Sequence, residues 1–166
     1  MVCSIIMNYE GFQGISFGVM DAVVTVLGVM IGLSVTDNRF ILVIGILTAG
    51  VADSFANAAG MHVAQETEIH HDEREVFKST IFCFFATLST VLILTLPIIL
   101  IKLPNSIYFS TVIGLLLLVS LGYFVSRVNK KFKSYKLAIE YLIIGISVGL
   151  ICYIIGSFAD VIIPNV

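Results

Sequence analysis

Tryptophan is absent from this 166-residue chain, and charge is scarce: Asp, Glu, Lys and Arg together supply 12% of it. A soluble domain of this length needs far more polar surface to cover its core. With 58% hydrophobic residues and a mean hydropathy of +1.07, the composition excludes a water-soluble fold and points to an integral membrane protein. Cys3, Cys83 and Cys152 lie far apart with no C-x-x-C among them, which argues against a zinc or disulfide framework. A net charge of −2 leaves no basic footprint for nucleic acid. No Ser-His-Asp set, Walker loop or H-E-x-x-H occurs, so an enzyme is not expected. The opening "MVCSIIMNYEGFQG" has no Lys or Arg, so it is not expected to act as a cleaved signal peptide. Without Trp, any aromatic belt falls to Tyr and Phe.

What remains is apolar. Five runs reach the roughly 20 residues that a bilayer-crossing helix requires, near 12–35, 40–64, 79–101, 105–126 and 137–163. The expectation is an all-α polytopic membrane protein, 1–166 forming a single five-helix transmembrane domain. The links "TDNR" and "KLP" are too short for anything but antiparallel neighbours. Pro97 removes the bond to the Ile93 carbonyl, which predicts a kink near the end of the third span. Asp72 and Glu75 form D-x-x-E, a capping box that opens the third helix at about Glu73, with the second breaking near His70–His71. Seven of the nine basic residues, Arg74, Lys78, Arg127, Lys130, Lys131, Lys133 and Lys136, fall on one side, against Arg39 and Lys102 on the other. That bias predicts a cytoplasmic N-terminus, a cytoplasmic acidic link 65–78 and an outer or lumenal C-terminus.

Two carboxylates break the apolar runs. Asp21 lies about 14 Å and Asp53 about 17 Å from the cytoplasmic ends of the first two spans, counting about 1.5 Å per residue. Both depths approach the middle of the hydrocarbon, where a carboxylate costs about 3 kcal/mol and usually faces a partner or a pathway. On the second helix Asp53, Asn57, Met61 and Gln65 follow at four-residue spacing and share one stripe. Oxygen donors mixed with a thioether suit a borderline divalent metal such as Fe²⁺ or Mn²⁺. The stripe runs on into the acidic link, whose Glu66, Glu68, His70, His71, Asp72, Glu73 and Glu75 are candidates for loading metal. His62 reads as an interfacial residue. The competing reading has Asp21 and Asp53 simply satisfied by Thr25, Ser54 or Asn57. Gly14, Gly18, Gly28 and Gly32 of the first helix, with Gly145 and Gly149 of the fifth, form G-x-x-x-G pairs that permit close helix contact and point to a homodimer.

The stretches "FGVMDAVVTVLGVMIGLS" and "GILTAGVADSFANAAGMHVAQETE" resemble the vacuolar iron transporter family, with its D-G-x-x-T-like motif in the first helix and S-M-A-x-G-E-like motif ending the second. The specific resemblance covers about residues 14–68. It implies a homodimer of five-helix subunits with the ion path between them, lined by their first and second helices. It further implies export of Fe²⁺ or Mn²⁺ from the cytosol in exchange for protons, with Asp21 on the pathway position. Three features depart from the family. Its second-helix methionine falls on Asn57 and its following glutamate on Met61. An earlier glutamate falls near Ala49, so Asp53 is the residue placed to compensate. The link is too short for the helical metal-binding domain that many members insert.

The expectation is therefore a membrane transporter of divalent transition metal. It has no tightly bound cofactor, takes Fe²⁺ or Mn²⁺ as substrate and protons as coupling ion, and resides in the cell membrane of a prokaryote or a vacuolar-type membrane of a eukaryote. A passive cation channel using the same residues, and a scaffold that binds partners through its charged links, are the alternatives.

Overall fold

The computed structural model describes residues 9–67, 72–128 and 133–162, and among them there is no strand. Five α-helices follow in order: α1 Tyr9–Leu33, α2 Arg39–Glu66, α3 Glu73–Leu100, α4 Asn105–Val128 and α5 Ser134–Ile162. Each is long and apolar enough to cross a bilayer, which marks a multi-pass integral membrane protein. The five expected runs coincide with the five helices, which extend a turn or so beyond several of the predicted limits.

Local chemistry sets the ends. A single 3-10 turn, Ser34–Thr36, follows α1, and Asp37 then adopts a left-handed conformation at φ 46°. Asn38 caps α2, its side chain accepting from the Phe40 and Ile41 amides. At the start of α3 the expected capping box is present: Asp72 is the N-cap, and Glu75 Oε2 accepts from the Asp72 amide at 3.4 Å. Pro97 lies inside α3, which nevertheless continues to Leu100. The last carbonyls there are served from another helix. Arg39 Nε donates to Ile98 O at 2.7 Å, and the same guanidinium donates to Ile99 O. A cation at a helix C-terminus also opposes the negative end of its dipole.

α1 is the hub and packs against all four other helices. Its Ala22, Val23, Val26, Leu27 and Met30 are almost completely buried, among Leu42 and Ile46 of α2, Val91, Leu94 and Ile98 of α3, and Leu118 of α4. α2 packs on α1 and α3. α4 and α5 pair, and α3 meets α4. The outside is as apolar as the inside: Phe40, Leu100, Leu116 and Phe158 are exposed, while Ser54, Asn57, Gln65, Ser79, Thr87 and Ser110 are buried. In lipid that arrangement costs nothing at the surface and lets interior hydroxyls satisfy backbone carbonyls. Thr87 donates to Cys83 O at 2.9 Å, and Ser110 reaches across to Leu94 O at 2.6 Å.

The glycines of α1 are used within the chain. Gly14 and Gly18 face the backbone of α3 at Ser79, Cys83 and Thr87, and Gly28 and Gly32 face Cys152 of α5. Rising numbers meet rising numbers in both cases, so α1 runs parallel to α3 and to α5. Gly156 returns the contact by lying against the backbone of Gly32. Gly145 and Gly149 likewise meet Leu118 and Ile31 of the same chain. The spacing correctly marks close contact, but the contact is intramolecular. These glycines therefore lend no support to a second copy.

A methyl group at Gly14 or Gly156 would collide with the backbone of α3 or α1, whereas one at Gly60 meets nothing. Gly14→Ala and Gly156→Ala should each destabilise the protein by about 1–3 kcal/mol, and Gly60→Ala should be neutral. Thermal unfolding of the detergent-solubilised variants measures the difference.

Candidate functional site: a carboxylate pair in the α1–α2–α3 seam

α1 and α2 are antiparallel, and polar side chains fix their register. Gln65 Nε2 donates to Gln13 Oε1 at 3.3 Å. Eight residues on in α1 and eight back in α2, Asn57 Nδ2 donates to Asp21 Oδ2 at 2.7 Å. A further four residues along each helix bring Thr25 beside Asp53, whose carboxyl also meets that of Asp21. The offset between Asp21 and Asp53 is thus larger than the roughly 3 Å that their counted depths suggested. Asp21 is level with Asn57, and Asp53 stands one turn, about 6 Å, farther from the α2–α3 link. The side chains close that gap and the two acids face each other.

Asp53 is the unusual member. Its Oδ2 is buried with no hydrogen-bond partner among the protein's own atoms. Ser54, a possible donor by sequence, instead gives its proton to Gly50 O at 2.7 Å. The reading in which Thr25, Ser54 and Asn57 merely satisfy both acids therefore fits Asp21 and leaves half of Asp53 unserved. Ser16 Oγ and Ser106 Oγ are unpartnered as well, but a hydroxyl carries no charge to balance. Asp21 lies at the centre of α1 and Asp53 at the centre of α2, where the cost of an uncompensated charge is greatest.

The rest of the stripe turns inward as its spacing predicts: Asn57, Met61 and Gln65 are all buried. Gln65, 1% exposed, is consumed by Gln13 and by the Ser79 hydroxyl, which donates to Gln65 Oε1. This knot closes the seam at the end nearest the link. At the other end a groove of about 680 Å³ between α1 and α5 runs from Thr36 and Asp160 past Gly28 and Gly32 to Thr25, beside Asp53.

The link residues play separate parts. Asp72 and Glu75 build the cap of α3, Glu66 and Glu73 are exposed, and Glu68, His70 and His71 lie outside the described residues. Among the described residues no three of His, Cys, Asp and Glu gather into a metal-ligating group. The acids Asp21 and Asp53 with Asn57 are what the fold brings together. Gln13 and Ser79 were not singled out from sequence. Gln13 had a signal, lying eight residues before Asp21 on the same face of α1, whereas Ser79 had none. No protein-family model, curated protein or solved structure matches the chain.

Removing the donor to Asp21 should be costly only while Asp21 is an acid. Asn57→Ala is expected to lower stability by about 1–3 kcal/mol and to cost markedly less in an Asp21→Asn background. A double-mutant cycle on thermal unfolding measures the coupling.

Proposed function

We propose that the chain transports a divalent transition metal, Fe²⁺ or Mn²⁺, across the membrane in exchange for protons, with Asp21 and Asp53 as the site both ions occupy. The single observation that carries this reading is the Asp53 carboxyl oxygen, buried at mid-helix without a partner and facing a second acid. Two carboxylates facing each other in hydrocarbon require a counter-charge, either a proton or a cation. A site that can take either is the elementary unit of an antiporter. Asn57 adds an amide oxygen one turn away, and oxygen donors suit Mn²⁺ and Fe²⁺. The groove between α1 and α5 ends at Thr25, the neighbour of Asp53, and the Gln13–Gln65–Ser79 knot stands between the acids and the link end of the seam. The resemblance to vacuolar iron transporters supplies the direction, export from a cytosol that bathes the link, and the second copy across the path.

The test is Mn²⁺ and Fe²⁺ uptake by proteoliposomes with and without an imposed pH gradient. Wild-type flux should follow the gradient, and Asp21→Asn and Asp53→Asn should each lower it at least a hundredfold, an effect of about 2.7 kcal/mol on the limiting step. Flux indifferent to the gradient identifies a channel. Flux in Asp53→Asn equal to wild type overturns the assignment of the site.

A further inference from the structure

The groove of about 680 Å³ between α1 and α5 has a charge pattern of its own. Val29, Val148, Cys152 and Ile155 line its length, and Gly28, Gly32 and Gly156 line it with backbone rather than side chains. Its polar groups stand at the ends: Thr25 at the inner end, Thr36 and Asp160 at the mouth. A drug-sized cleft between helices, mostly apolar with a few polar groups that fix orientation, is the usual form of a small-molecule site. The mouth is negative. α1 and α5 run parallel, so both C-terminal ends lie there, each equivalent to about half a negative charge. Neither helix has a basic residue in its last turn. α5 instead carries Asp160 there, and Asp37 follows Thr36 beyond α1; both carboxylates are exposed. The basic residues of that end stand elsewhere. Arg39 donates to Ile98 O and Ile99 O, and Lys102 lies in the link between α3 and α4. A carboxylate in the last turn of a helix opposes the helix dipole, so Asp160 is badly placed for stability alone.

We infer that the α1–α5 groove binds an amphipathic organic cation, its apolar body along the groove and its positive head at the Asp160 mouth. Charge complementarity selects this occupant. A phospholipid tail would fill the apolar length, but its phosphate would meet the Asp160 carboxylate and two negative helix ends. An inorganic cation would be drawn to the mouth and gain nothing from valine and isoleucine side chains. An organic cation uses both features: it removes apolar surface from water and opposes the charge that the two helices leave uncompensated.

The inference does not depend on the transport reading, and its test separates the two. Binding of tetraphenylphosphonium to purified, detergent-solubilised protein is measured by equilibrium dialysis. One ion should bind per chain, and Asp21→Asn with Asp53→Asn should leave that binding intact. Asp160→Asn should weaken it roughly fivefold, and Asp160→Glu should keep it. Cys152 reports the location. With Cys3→Ser and Cys83→Ala it is the sole thiol, and the bound probe should slow its alkylation by N-ethylmaleimide. Tetraphenylborate, of the same shape and opposite charge, should neither bind nor protect. Equal protection by both ions shows a cleft open to any apolar chain and overturns the inference. So does an affinity indifferent to Asp160→Asn. No binding, with Cys152 cross-linked between two chains on oxidation, assigns the groove to a second copy and overturns it as well.

Discussion

Hydrocarbon cannot solvate a carboxylate, and the arrangement of the first three helices answers that constraint. α1 carries Asp21 at its midpoint, so α1 is surrounded. α2 turns toward it the face bearing Asp53, Asn57, Met61 and Gln65, and Asn57 supplies the donor that Asp21 needs. α3 can approach only because Gly14 and Gly18 present no side chain to its backbone, and α5 approaches through Gly28, Gly32 and Gly156. In a bilayer the tails are as apolar as leucine, so close packing and interior hydrogen bonds take over the part that hydrophobic burial plays in water. An apolar outer face with hydroxyls and amides inside follows from the same physics.

The constraint is met for Asp21 and left open for Asp53. Its unpartnered oxygen would be a defect in a protein with only a structural task, because a buried polar atom without a partner costs about 1–3 kcal/mol. For a transporter the same feature is the working state. A site whose ligands were fully satisfied by the protein would have no reason to take up an ion, and one too well matched would not release it. In the proposed cycle the seam must also open at the link end. The Gln13–Gln65–Ser79 hydrogen bonds stand there, so exchanging them for bonds to water is a step any passage on that side requires.

Much of this architecture was legible before any coordinates, and the reason is locality. Five apolar runs, the Asp72–Glu75 cap and the inward stripe of α2 depend on residues within a few turns of one another, and periodicity reports them. The position of Asp53 relative to Asp21 depends on how two helices slide past each other. Counting from helix ends put Asp53 only about 3 Å deeper than Asp21, whereas the side-chain pairs Gln13–Gln65 and Asp21–Asn57 set a register that makes the offset one turn, about 6 Å. Glycine spacing is ambiguous for a related reason. A bare helix face looks the same in sequence whether the surface it meets belongs to α3, to α5 or to another chain. The His62–Thr80 contact joins residues eighteen apart on successive helices, beyond the reach of any local pattern.

The central claim is that one pair of intramembrane carboxylates exchanges protons for metal. Proton release on metal binding tests it most directly. Mn²⁺ is added to purified protein in weakly buffered solution containing a pH indicator, with the bound metal counted in parallel. The account predicts that binding at the pair releases protons in a fixed ratio to the metal bound, and that Asp53→Asn loses both the release and the binding there. Wild-type protein that binds Mn²⁺ at the pair without releasing any proton would contradict it.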